Sequence, residues 1–249
     1  MVYYGTSNDS ARASGIDAMT ARVREAFPGI EVREAYTSRA AVNALKRHKG
    51  IRRPLLRDAL TQLSTDGYNS VLVVDGDIIE GKSSRNMQQL SRDYYQHFFE
   101  LKATTPLLYT PDDFRKALTP LLALADPQPD EELVFVGHGR DGAYNDAYCL
   151  ADYILQHEGH PNCHVGTISG YPSLDNIKQI LARTGRRKVV LVPLMMIAAG
   201  HATRDIYTTW REALQREGYT VRLVRRGMRE YPEIQQLIID KIRTALQQP

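Results

Sequence analysis

Two histidines stand directly after glycines at the ends of apolar runs: His138 in Val134-Phe135-Val136-Gly137-His138-Gly139, and His201 after Val189 to Ile197 and Gly200. A neutral imidazole offers a lone pair to a divalent ion and trades a proton near neutral pH. Two of them held together would suit metal binding or proton transfer. Runs of this kind fit strands buried on both faces of a parallel sheet, whose carboxyl ends share the edge where open α/β folds bind ligands. Other candidate ligands are less promising. His157 falls at a helix end and His160 precedes Pro161, so these two and His164 read as a surface group. Cys149 and Cys163 lack zinc-type CxxC spacing, read as buried free thiols and require no oxidising compartment.

The elements that must position the histidines appear on comparing the two halves of the chain. Strand, glycine turn, helix, strand, Ser/Thr turn, helix, strand is the order from Val2 to Gly81, and again from Leu133 to Gly200. Gly5 then answers Gly137, Thr37-Ser38 answers Ser169-Gly170, and Gly81 answers Gly200. In the first half the strands are expected at Val2–Tyr4, Ile30–Tyr36, Val71–Val74 and Thr105–Tyr109. In the second they are expected at Leu133–Val136, His164–Ile168, Val189–Ile197 and Thr220–Val224. Alternating strands and amphipathic helices predict right-handed parallel βαβ units. The expected fold is therefore α/β: two similar halves, each a parallel four-stranded sheet flanked by helices, with a cleft between them. The linker-like Asp126-Pro127-Gln128-Pro129-Asp130 sets domains at 1–127 and 128–249, the latter carrying both histidines. Ile234, Leu237, Ile238, Ile242 and Leu246 give the last segment helical apolar spacing.

Composition narrows the class further. The 249 residues, 43% hydrophobic and 24% charged, describe an ordinary globular chain long enough for a substantial core. A net charge of +3 is too mild an excess to argue for nucleic acid, and Arg183, Arg186, Arg187, Lys188 and Arg222, Arg225, Arg226, Arg229 read as local basic clusters. No apolar stretch reaches the length of a membrane span, and the opening residues show no leader pattern. These features predict a cytoplasmic protein without nucleic-acid or membrane partners, or a periplasmic one if a leader has been removed. A homo-oligomer stays open.

Six strings in order over nearly the whole chain, including Tyr4-Gly5-Thr6-Ser7, Ala35-Tyr36-Thr37-Ser38 and Asp77-Ile78-Ile79-Glu80-Gly81, carry a resemblance. The others are Val136-Gly137-His138-Gly139, Ser169-Gly170-Tyr171-Pro172 and Val192-Pro193-Leu194-Met195 with Gly200-His201-Ala202. The chain resembles the class II tetrapyrrole chelatases, and within them the anaerobic cobalt chelatases of sirohydrochlorin. The resemblance implies that His138 and His201 hold the metal on one face of the macrocycle while a carboxylate helps remove the pyrrole protons. It further implies substrate contacts at Gly5, Thr6, Ser7, Ile78, Gly81, Ser169 and Met195. The metal is then a substrate, Co²⁺ first with Fe²⁺ or Ni²⁺ as alternates, the pathway is cobalamin or related tetrapyrrole synthesis, and no organic cofactor is implied. Two departures stand out. Ser169 occupies the position of the family's glutamate, and Asp77 that of a histidine after the third strand. Glu80, Asp141 and Asp175 are the candidate substitute carboxylates, Glu80 being assigned the catalytic role. Two alternatives remain: a tetrapyrrole- or haem-binding or metal-removing relative without the base, and a solute-binding protein of two α/β halves.

Overall fold

The computed structural model describes residues 1–140, 145–198, 200 and 202–248. In chain order the elements are β1 (Val2–Tyr3), α1 (Asp9–Ala11), a π-helical turn (Arg12–Asp17), α2 (Ala18–Ala26), β2 (Ala35–Tyr36), α3 (Arg39–Lys49), α4 (Leu56–Thr65), β3 (Ser70–Val73), α5 (Lys82–Asp93) and β4 (Glu100–Ala103). There follow α6 (Pro111–Ala125), β5 (Glu131–Gly139), α7 (Asp146–His157), β6 (Cys163–Ser169), α8 (Leu174–Thr184) and β7 (Lys188–Leu194). A π-helical stretch (Ala202–Trp210), α9 (Arg211–Arg216), β8 (Thr220–Leu223) and α10 (Pro232–Gln247) complete the chain.

The chain divides into two compact units, Met1–Tyr109 with Pro232–Pro249, and Thr110–Tyr231. This division departs from the boundary expected at 127/128. The reason lies in burial and charge that the linker composition does not report. α10 buries Ile234, Ile238, Ile239 and Ile242, and its Lys241 ammonium donates to the carbonyls of Pro106 (2.6 Å) and Leu107 (3.3 Å) in the first unit. α6 buries Phe114, Leu118 and Leu121 and packs along α7, where Arg115 pairs with Glu158 at 2.7 Å.

In the second unit all four strands are parallel, in the order β6-β5-β7-β8. The two central strands are buried on both faces, with Leu133 to Val136 and Val189 to Leu191 fully inaccessible, as their unbroken apolar runs require. β8 lies at the edge, and its residues alternate between exposed and half-buried. One face of the sheet carries a core of Val134, Val136, Ile177, Leu181, Trp210 and Leu214. Capping residues set the ends of the flanking helices. Thr110 caps α6 reciprocally with Asp113 behind Pro111, and Ser173 caps α8 reciprocally with Asn176. At the amino-terminal edge the fully buried Glu132 carboxylate accepts from His164 Nε2 at 2.8 Å and from Arg186 Nη1 at 2.7 Å.

The first unit follows the same order with a less complete ladder. β1 pairs with β2 and β3 with β4, all parallel, while β1 and β3 meet through the bridge Val2–Asp75. The expected four-stranded sheet is thus two short ladders joined at one point. Two strands also differ from expectation. β2 covers only Ala35–Tyr36; just before it the Val32 carbonyl accepts from the Arg24 guanidinium at 3.0 Å and the Arg33 carbonyl from the Met1 ammonium at 2.8 Å, so these main-chain groups are engaged outside a strand ladder. The fourth strand is Glu100–Ala103 rather than Thr105–Tyr109, which contains Pro106 with no N–H to give. Residues after β4 instead bind the β3 loop, Leu107 N–H donating to Asp77 and Leu108 N–H to Ile78. The core here gathers Val2, Leu56, Leu60, Val73, Met87 and Leu101.

Candidate functional site

The carboxyl edge of the second unit's sheet carries three of the expected site residues. His138 is the penultimate residue of β5, exposed, on a strand whose preceding residues are all buried. Its Nδ1 lies 2.9 Å from the carbonyl oxygen of Gly139. A carbonyl only accepts, so Nδ1 donates here, and in the neutral ring the lone pair is then on Nε2. Gly139 pairs in register with Ser169 at the end of β6, and Gly137 with Leu194 at the end of β7, just before Met195. The sheet therefore sets His138, Ser169 and Met195 on three adjacent strand ends. Met195 is buried and belongs to the core cluster, with its carbonyl receiving Met228 N–H at 2.8 Å. His201 and Asp141 lie outside the described residues.

Close packing explains the glycines of this edge. Gly139 sits at φ +67°, and a Cβ there would lie 1.9 Å from the Ser169 carbonyl oxygen and 2.4 Å from Thr167 Cβ. Gly137 lies on the ring of Tyr148, where a Cβ would fall 2.1 Å from Cε1. The left-handed glycine after β1 is Gly5 at φ +95°, so its conformational counterpart is Gly139 and not Gly137. Gly170, at φ +94°, backs onto the Arg140 carbonyl and Asn145. Asn145 holds Arg140 from both sides, accepting its N–H at 2.9 Å and donating to its carbonyl.

In the first unit the expected residues occupy the corresponding edge. Gly5 lies against the Tyr36 ring, and the Tyr36 hydroxyl is buried without a hydrogen-bond partner among the described residues. Burial, reinforced by Glu34, raises that phenol's pKa. Thr6 accepts from Asn8 N–H at 3.2 Å, and Asn8 in turn caps α1, so Gly5-Thr6-Ser7 leads into a side-chain-capped helix start. Ser7 is exposed. Ile78 is held by Leu108 N–H at 2.7 Å, and Gly81 is the residue before α5. Glu80 is ion-paired with Arg85 at 2.5 Å, both side chains substantially exposed. The remaining candidate carboxylate, Asp175, belongs to the second unit, exposed in the first turn of α8 and 3.9 Å from Lys178.

Three further residues organise these edges and were not singled out from sequence. Asp75 is buried at the end of β3, accepting Asp77 N–H at 2.9 Å and the Ser84 hydroxyl, which ties the start of α5 to the strand end. A carboxylate directly after the apolar Val71 to Val74 is a readable signal for such a fastening. Tyr148 and Asn145 belong to the first turn of α7 and the residue before it. Nothing in the spacing of the chain places them against Gly137 and Arg140, on either side of His138. Among the described residues no group of three or more His, Cys, Asp or Glu side chains is arranged to hold a metal. No described helix is long and apolar enough to cross a membrane.

Known proteins similar to the chain give a consistent picture. A family model described as cobalt chelatase (CbiK) matches residues 1–247. The sirohydrochlorin cobaltochelatase CbiKC of Nitratidesulfovibrio vulgaris is 31% identical over 90% of this chain and 82% of its own length. The sirohydrochlorin cobaltochelatase of Salmonella typhimurium is 26% identical over 99% of this chain and 95% of its own. Among solved structures, SirB from Bacillus subtilis with Fe³⁺ has a TM-score of 0.70 at 12% identity, covering 98% of this chain and 93% of that one. CbiX, the terminal enzyme for biosynthesis of siroheme in denitrifying bacteria, has 0.61 at 21% identity, with 98% and 97% covered. Both share the α/β fold of parallel sheets and flanking helices.

Proposed function

The chain belongs to the cobalt chelatase (CbiK) family, and on that premise we propose that it inserts a divalent metal, cobalt first, into a sirohydrochlorin-type tetrapyrrole. The observation that carries the reading is His138: an exposed imidazole at a buried strand end, its Nδ1–H given to the Gly139 carbonyl and its lone pair therefore on Nε2. In the proposed reaction His138, with His201 as second ligand, presents the ion at about 2.0–2.2 Å per nitrogen. As the pyrrole nitrogens take the ion they release two protons. Imidazole suits cobalt, iron and nickel alike, so these ligands do not choose among them.

The protons need an acceptor, and here this chain departs from its family. Ser169, adjacent in register to Gly139, offers a hydroxyl where the resemblance implies a carboxylate. Glu80 is our candidate for the base, and it must leave Arg85 to serve. That pairing also supports a second reading, a tetrapyrrole-binding relative that retains the metal-facing imidazole without fast proton removal. Gly5, Thr6, Ser7, Ile78, Gly81 and Met195 complete the proposed macrocycle contacts.

An anaerobic absorbance titration separates the two readings. Sirohydrochlorin is added alone, then with Co²⁺, Fe²⁺ or Ni²⁺. Accelerated appearance of the metallated spectrum, lost in His138→Ala, supports the chelatase. Stoichiometric binding with no acceleration supports the binder, and no binding at all overturns both.

A further inference from the structure

The arginines at 222–229 divide by what they touch. Arg222 pairs with Glu131 at 2.8 Å, and Arg229 is 3% exposed. Arg225 and Arg226 are exposed, and neither has a carboxylate partner among the described residues. Each guanidinium lies instead over an aromatic ring, Arg225 at 4.8 Å from the centroid of Tyr207 and Arg226 at 4.4 Å from that of Tyr231. Arg226 also donates to the Glu230 carbonyl at 2.6 Å, while the Glu230 side chain accepts the Gly227 N–H at 2.7 Å. Stacking occupies the flat face of a guanidinium and leaves in-plane N–H donors outward, the geometry that receives a carboxylate.

The loop that holds them runs along the carboxyl edge of the second unit's sheet. Beyond β8 the chain follows the continuation of β7: Val224 N–H donates to the Leu191 carbonyl, Met228 N–H to the Met195 carbonyl, and Gly227 backs onto Met196 to Ala198. Met228 is therefore level with Met195, the residue after Leu194, whose partner in register is Gly137, the residue before His138. β7 lies between β8 and β5, so two strand spacings, about 10 Å, separate the loop from His138. The carboxylate arms of a tetrapyrrole centred near His138 extend outward over a similar span. We propose that Arg225 and Arg226 are specificity-determining residues that bind carboxylate arms of the macrocycle. The proposal rests on the tetrapyrrole reading of this edge and names the groups that recognise the substrate's charge.

Anaerobic titration of the metal-free protein with sirohydrochlorin, a polycarboxylate, reads binding apart from insertion. Arg225→Gln and Arg226→Gln should each raise Kd about tenfold. Arg225→Lys keeps the charge without the planar fork and should recover part of the loss. Arg183→Gln removes the same charge from the exposed last turn of α8, where the chain turns back toward the start of β7, and should leave Kd unchanged. Salt near 1 M, where screening acts within about 3 Å, should shrink the difference between wild type and the double glutamine variant. In insertion assays that double variant should raise the KM for sirohydrochlorin with kcat and the Co²⁺ dependence unchanged. Equal Kd values for wild type and the double variant, or a loss matched by Arg183→Gln, overturn the proposal and leave the tetrapyrrole reading standing. A wild type that does not bind sirohydrochlorin overturns both.

Discussion

Replacing Gly139 with alanine tests the close packing at the β5 edge, and Gly185→Ala supplies its control. Both glycines lie in the second unit at left-handed φ, +67° and +73°, but a Cβ on Gly185 meets nothing within 4 Å whereas one on Gly139 falls 1.9 Å from the Ser169 oxygen. A side chain in the left-handed region costs about 1–2 kcal/mol, and the alanine recovers part of that by restricting the unfolded chain. Gly185→Ala should therefore lose about 1 kcal/mol. Gly139→Ala bears the same conformational cost plus about 1–3 kcal/mol for forcing atoms into filled space, about 2–4 kcal/mol in all. With a urea slope of about 2 kcal/mol per molar, the Gly139→Ala midpoint should fall by about 1–2 M and that of Gly185→Ala by about 0.5 M. Trp210, the single tryptophan, is 3% exposed and packed in the second unit's core, so its fluorescence reports that unit directly. Equal losses in the two variants would refute the close approach of β5 and β6 at this point.

Other outcomes test the remaining parts of the structure. Burial pushes the Cys163 thiol from its ordinary 9.0 to about 12. The unfolded chain therefore ionises first, and stability is lost as pH rises between those values. Urea midpoints at pH 8.0 and 10.5 should show the wild type losing about 2 kcal/mol more than Cys163→Ala over that interval. Arg186→Met leaves the fully buried Glu132 without its guanidinium, and the same fluorescence assay should record a loss of about 2–4 kcal/mol; a loss below 0.5 kcal/mol would show that His164 alone suffices. On the chelatase reading, Ser169→Glu should raise the anaerobic insertion rate at unchanged tetrapyrrole affinity, by up to the 10²–10⁴-fold typical of a positioned base. No gain would turn attention to Glu80, and Glu80→Gln should then abolish insertion.

What sequence by itself determined rests on local physics. Unbroken apolar runs at 133–136 and 189–194 cannot face water on either side, so they specify central strands of a helix-covered parallel sheet. His138 at the end of its strand followed from the run that precedes it. Only the tertiary structure decided matters that depend on partners far along the chain. α10 joins the first unit because its isoleucines and Lys241 find their burial and carbonyls there, more than a hundred residues upstream. The first unit's β2 is short where the carbonyls of Val32 and Arg33 accept from the Arg24 guanidinium and the Met1 ammonium instead of from a neighbouring strand. Gly139 must lack a side chain because the carbonyl of Ser169, thirty residues further along the chain, lies against it across the ladder. Periodicity and spacing record what each segment must bury; the identity of the group it is buried against is a property of the assembled sheet alone.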